Sequence, residues 1–480
     1  GKILVVRTLE NGKPSYENTL SYDEFDRVSR KVISRLKSAG SKDETVYDYT
    51  YTVSGRTKTV SIVFPDKTKT LTVNEYDKNG RLVLITEGNK KIAYKYDEKS
   101  RLSEQVINGI PVVYSYTSLW RLAGKTMGSL SAPIASVKYF YSNDGQIIAR
   151  EINGKRQEYK YDLKGQLIAS EGDKPEHYEY DPAGNILKKQ IGGQVTSFAY
   201  DKANQLVKSV TNGIETYYDY DFAGRLAKES SRDITKEYSY AWLDKVVQTN
   251  TNGDCRSFSY YPDGQLAEAV GAGKTEEFYW NRLALVRRDN TLYMNEPSVT
   301  GGNPVIADNK VFFNDMLGNS IGTKDGETFN LISRDSFGGG NEEGFFTGKP
   351  YVEGLGYAFL FRNYRPELGK WQTSDPLGYP DGWNNFAYCN NLAISCIDIL
   401  GLAKILYWAP GESSGGDKWF GHMSVLLDNG TYISYWPSEP VDGPFDEVPP
   451  RAADLADDIA GEDGRMPDII EVDGLNESAM

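Results

Sequence analysis

Aromatic residues recur at a fixed step through much of this chain, and that period constrains the fold more than any other feature. Tyr76, Tyr96, Tyr116, Tyr141, Tyr161, Tyr180, Tyr200, Tyr220, Tyr240 and Tyr260 fall 20 residues apart with rare slips of one or five, and Trp280 keeps the step. A short fixed period marks one supersecondary unit that stacks on its neighbours, not a single globular core.

The unit is legible. After the tyrosine comes a short polar turn and then an apolar run, as in Tyr76-Asp77-Lys78-Asn79-Gly80-Arg81-Leu82 and Tyr220-Asp221-Phe222-Ala223-Gly224-Arg225-Leu226. The stretch before it alternates, as in Glu158-Tyr159-Lys160-Tyr161, which is a strand with one buried face. Asp caps the turn through its side chain and Gly supplies positive φ. A second turn, Asn153-Gly154 or Asn212-Gly213, closes each unit, and Asn-Gly is a strong hairpin signal. The 34 Tyr and 47 Gly fit this pattern. The expected fold is all-β. A solenoid or a fibrous β assembly shares the period, whereas a propeller blade needs about 40 residues. A closed or spiralling sheet is the reading adopted, with the tyrosines as packing groups and the chain first a structural shell.

Charge and cysteine content narrow the possibilities. From 403 to 480 there are 16 acidic residues against 4 Lys/Arg, a net charge of −12. The whole chain carries −13, so the first 402 residues sum to −1. A neutral body and an acidic tail mark a boundary near 402, and nucleic acid would be repelled by the tail. Cys255, Cys389 and Cys396 include no CxxC pair, which argues against a disulfide framework or a zinc site. No cofactor is expected. No apolar run is long enough to span a membrane. Gly1 to Arg7 read as the middle of a repeat, so the chain is expected to be part of a longer one.

These repeats resemble those of Rhs/YD-repeat proteins, including the C components of Tc toxins and the animal teneurins. The resemblance covers roughly residues 20 to 402. It is carried further by an ordered series after the array: Phe312-Phe313-Asn314-Asp315-Met316-Leu317-Gly318-Asn319, then Phe346-Thr347-Gly348-Lys349-Pro350. Next come Phe361 to Trp371, Ser374-Asp375-Pro376-Leu377-Gly378, Asn384 to Asn391, and Asp398-Ile399-Leu400-Gly401-Leu402. The series resembles the Rhs repeat-associated core.

The resemblance implies a β-sheet spiral forming a hollow cocoon (1–290), a core that plugs it (291–402), and a variable C-terminal toxin of small α+β type (403–480). It implies an aspartic autoprotease with Asp375 and Asp398 as the acids and a cut between Leu402 and Ala403. Two carboxylates suit amide hydrolysis when one is protonated and one ionised, which proximity enforces. Arg362 would hold an aspartate ionised or polarise the scissile carbonyl. Read without the resemblance, Asp375 caps an Asp-Pro turn, Asp398 caps the Gly401 turn, and Arg362 is a solvent-facing strand residue. Two positions depart from the family pattern: Arg365 stands where it has Asp, and Ile399 where it has Pro. Either could alter the approach of the acids to Leu402.

The tail offers a second candidate. Gly421-His422-Met423-Ser424 followed by Gly430-Thr431-Tyr432-Ile433-Ser434-Tyr435-Trp436-Pro437 resembles the first half of a permuted papain-like toxin domain. There His422 would be a base awaiting a cysteine nucleophile. No Cys follows it here, so the domain is expected to be truncated, with its nucleophile beyond Met480. His177 sits in a repeat and reads as a plain strand residue.

The expected function is that of a secreted or cell-surface-delivered bacterial polymorphic toxin, suited to type VI secretion and interbacterial competition or to attack on a host. Its partners would be its own C-terminal segment as cargo, delivery proteins and an immunity protein, with no nucleic acid bound by the shell. The alternative is a non-catalytic YD-repeat adhesion scaffold.

Overall fold

A computed structural model describes residues 4–10, 13–37, 41–241, 244–297, 301–340, 343–378, 383–402, 405–407, 423–426, 432–434 and 468–471. Each hairpin pairs antiparallel with the next, and the ladder runs unbroken as a 32-stranded sheet from Val5–Glu10 to Thr328–Leu331. It does not stop at residue 290. The hairpin grammar persists there without tyrosine, because Asp315 accepts hydrogen bonds from Leu317 N and Asn319 N as the earlier turn aspartates do.

The turn chemistry is as the sequence implies. Oδ1 of Asp77 accepts from Asn79 N and Arg81 N, both at 2.9 Å, and Gly80 adopts φ +75°. That geometry recurs at Asp97, Asp162, Asp181, Asp201 and Asp221.

Each period tyrosine does more than pack. The ladder shifts register at that residue, as at Lys95/Tyr96 and Lys160/Tyr161. A bulge bends the strand and re-aims the side chain. The freed hydroxyl donates to a carbonyl at the start of the preceding returning strand: Tyr96 to Leu82 at 2.7 Å, Tyr161 to Ile147 at 2.6 Å, Tyr240 to Leu226 at 2.7 Å. Trp280 Nε1 does the same to Leu266 at 2.8 Å, which explains why it keeps the step. The ring two residues earlier, such as Tyr159, Phe198 or Tyr218, is buried.

The sheet coils onto itself. Tyr16 meets Ser259, Lys31 pairs with Asp263 and Tyr49 donates to Asn281, so one turn closes over more than 230 residues. Later contacts come sooner: Lys125 reaches Asn314 O across 189 residues and Glu176 meets Ser336 N across 160. The second turn is therefore tighter than the first.

One inward row seats that second turn and the chain beyond it. The residue nine places after a period tyrosine faces the buried ring across the ladder, as Arg150 does Tyr139 and Lys189 does Tyr178. Gln105 reaches Glu296, Arg150 reaches Asp315, Lys189 reaches Asp335 and Glu229 reaches Arg365. Residues 343–378 and 383–402 then pack against the wall. Their centre is a five-stranded sheet of Phe345–Phe346, Lys349–Val352, Gly356–Ala358, Asn363–Arg365 and Lys370–Trp371. Wall lysines fix it by donating to its carbonyls: Lys236 to Gly354 at 3.2 Å and Lys245 to Leu360.

The described tail residues form a separate four-stranded sheet of Ile405–Tyr407, Met423–Leu426, Tyr432–Ser434 and Asp468–Glu471. Ala403 and His422 lie outside the described residues. His177 is an exposed strand residue. No helix among the described residues is long and apolar enough to cross a membrane.

A candidate active site around Arg362

The small sheet delivers three buried charges to one place. Arg362 sits just before the strand Asn363–Arg365, Asp375 just after Lys370–Trp371, and Asp398 in the loop that ends at Leu402. They are 3%, 6% and 3% exposed, so Arg362 is not the solvent-facing residue a bare strand reading suggests.

Each acid caps its own turn and faces the arginine at the same time. Asp375 Oδ1 accepts from Leu377 N at 2.9 Å. Asp398 Oδ1 accepts from the backbone N–H of Leu400, Gly401 and Leu402, at 3.0, 2.6 and 3.1 Å. This is the wall's turn chemistry reused. It leaves Oδ2 of each acid pointed at Arg362 Nη2, at 2.6 Å for Asp375 and 3.3 Å for Asp398. The two Oδ2 atoms therefore lie within about 6 Å of one another, the sum of those distances.

Arg362 also holds the chain end of this domain. Its Nε donates to Gly401 O at 2.5 Å, Nη2 to Leu402 O at 3.2 Å and Nη1 to Asn385 O at 3.1 Å. Phe361 N donates to Leu400 O at 2.9 Å. Gly401 is required for this approach. It has φ +81°, and a Cβ there would lie 3.1 Å from Arg362 N. Trp371 lies under the guanidinium at 4.3 Å and Phe359 meets Trp371 edge-on, so the charges are roofed by aromatic surface. In such surroundings each electrostatic contact is stronger than in water.

The two departures from the family pattern fall outside this cluster. Arg365 turns to the wall, pairing with Glu229 at 2.7 Å and accompanied by Tyr238. The Arg365 guanidinium overcomes burial and holds the Glu229 carboxyl down, to about 2. Ile399 packs with Leu317 and Ile397.

Sequence reasoning missed Lys349, which is 2% exposed and close enough to Asp398 to feel its charge. Burial pushes its ammonium down, to about 8, against the opposing carboxylate. A lysine between Gly348 and Pro350 at the head of an apolar hairpin was the available signal. Among the described residues no cluster of His, Cys, Asp and Glu could hold a metal.

The Teneurin YD-shell family matches residues 131–240. Over that stretch the chain is similar to a Teneurin YD shell. The tRNA3(Ser)-specific nuclease WapA of Bacillus spizizenii is 29% identical over 204 residues, and the tRNA nuclease WapA of Bacillus subtilis is 28% identical over the same length. Each match covers 34% of this chain and 8% of the relative, so the YD-shell chain spans only a small part of those proteins. A solved Photorhabdus luminescens Tc holotoxin pore aligns over 81% of this chain and 28% of its own, at 15% identity and a TM-score of 0.41. A TcdB2-TccC3-Cdc42 crystal structure aligns over 83% and 30%, at 14% identity and a TM-score of 0.40.

Proposed function

We propose that this YD-shell chain is the container of an Rhs-type polymorphic toxin, which encloses the segment after Leu402 and cuts it free by hydrolysing the Leu402–Ala403 bond. The observation that carries this reading is the single guanidinium of Arg362 touching both carboxylates and the carbonyl oxygen of Leu402.

The chemistry follows from the positions. Arg362 Nη2 polarises the Leu402 carbonyl and stabilises the oxyanion that water attack generates. One carboxylate takes a proton from the water. The other, protonated, gives its proton to the nitrogen of Ala403 as the C–N bond breaks. Asp375 and Asp398 supply the pair, since closely placed acids titrate apart. The new Leu402 carboxylate then faces Arg362, so the product occupies the site and the reaction stops after one turnover.

The inferred cargo is the acidic tail, delivered by a secreted or surface-bound toxin. The WapA relatives are nucleases by name, and a nuclease tail fits the same plan. A papain-like tail using His422 is the other cargo considered. The alternative of a YD-repeat adhesion scaffold makes no use of the buried Asp375–Arg362–Asp398 cluster.

Limited proteolysis tests the container. The tail of the native full chain should resist protease until the shell is denatured. A tail digested at the rate of an unfolded peptide, with the shell intact, would overturn enclosure.

A further inference from the structure

Lys349 is a buried ammonium within reach of the Asp398 charge that the cleavage chemistry above leaves unused. It opens the strand Lys349–Val352, and its hairpin is pinned by Thr347 N donating to Asn319 Oδ1 and Gly348 N to Gly318 O. Its Nζ lies 6.0 Å from the Phe359 ring, which packs on Trp371, which in turn lies under Arg362. The side chain is therefore walled into the same aromatic enclosure as the cluster. Asp398 is the carboxylate whose charge acts on Lys349, and Arg362 ties Asp398 to Asp375 through one nitrogen. Tyr388 also feels the Asp398 charge, and burial pushes its hydroxyl well up, so it stays neutral.

Charge counting gives the consequence. A closed, low-dielectric site favours zero net charge. With both acids ionised, the two negative charges are balanced by Arg362 and a charged Lys349. With one acid protonated, as hydrolysis requires, the remaining carboxylate is balanced by Arg362 alone and Lys349 must be a neutral amine. The two states differ only in where one proton sits.

We propose that Lys349 is a positioning residue that governs the acid pair by holding its proton: the ammonium gives one proton to the Asp375/Asp398 pair and takes it back after cleavage. An N–H bond breaks on Lys349, an O–H bond forms on a carboxylate, and no other reactant is needed. The inference rests on the reading of Asp375 and Asp398 as the cutting pair. The ease with which buried Lys349 sheds its proton agrees with this role.

The test is the pH profile of self-cleavage. The full chain is refolded from denaturant into buffers from about pH 5 to about pH 10, and the cut fraction is followed by intact mass. In Lys349→Met the pair loses a neighbouring positive charge, so it keeps its proton to higher pH. The alkaline limb should move up by about 1 pH unit or more. In Lys349→Arg the charge is fixed and cannot be donated, so the rate should fall and the limb should not move up. Profiles of both variants that overlay the wild type would overturn the proposal. If Lys349→Met fails to fold, Lys349→Arg decides alone: wild-type rate with wild-type profile overturns it. Cleavage persisting in Asp375→Asn and Asp398→Asn would instead sink the acid-pair reading itself, whatever the lysine variants do.

Discussion

The guanidinium of Arg362 donates to the carbonyl oxygen of Leu402 at 3.2 Å, the last residue before the acidic tail. That contact puts a buried positive charge where a peptide carbonyl would become an oxyanion. Loss of one such donor typically costs about 100- to 1000-fold in rate. Arg362→Lys should slow cleavage by at least about 100-fold, because a point charge cannot span Gly401, Leu402 and both acids as the planar fork does. Quantifying the cut product against time after refolding checks this.

Gly401→Ala should damage cleavage without greatly loosening the wall. The backbone there is left-handed, and the added Cβ would press on Arg362 N and on Phe359 Cβ. The Leu402 carbonyl would move off Arg362. Slower cutting with an unchanged denaturation midpoint for the sheet is the expected outcome, and an unchanged cleavage rate would contradict it.

The Glu229–Arg365 pair gives a pH signature. The folded carboxyl of Glu229 is held down to about 2, below its ordinary 4.5. Its contribution is therefore fully present above about 4.5 and is lost as pH falls through about 2. Arg365→Met leaves Glu229 buried without its partner, which should destabilise by roughly 3–5 kcal/mol at neutral pH. The variant's deficit should shrink as pH is lowered through that window, as read by denaturant titrations at a series of pH values.

The period tyrosines can be tested one bond at a time. Tyr240→Phe removes the hydroxyl that donates to Leu226 O and nothing else. The cost should be about 1 kcal/mol. Trp280→Phe should cost as much through the lost Nε1 bond to Leu266, plus its lost packing. In a stacked array these losses stay with the neighbouring hairpins, so hydrogen exchange should rise locally around Leu226 or Leu266.

Much of the wall was legible because its grammar is local. The Asp-x-x-Gly turn, the alternating strand and the Asn-Gly return each follow from a few adjacent residues, and all appear where the sequence places them. The clamp role of the tyrosine hydroxyl was not legible, since it depends on a bulge and on a carbonyl in the preceding hairpin. The inward row was visible only as polar residues such as Arg150 and Lys189 at positions that otherwise favour burial, and their partners lie more than 100 residues away. The resemblance led to Asp375, Asp398 and Arg362. Their convergence is a product of three-dimensional packing, because both acids also make ordinary turns. Lys349 escaped notice because a single lysine in a hairpin carries no periodic signal.

The central claim is that Asp375, Asp398 and Arg362 cut the chain after Leu402. Intact mass spectrometry under denaturing conditions tests it most directly. The account predicts two masses that divide between Leu402 and Ala403 in the wild type, and one undivided mass in Asp375→Asn and in Asp398→Asn. A wild-type chain that stays whole at every time point, or a cut that survives both substitutions, would contradict it.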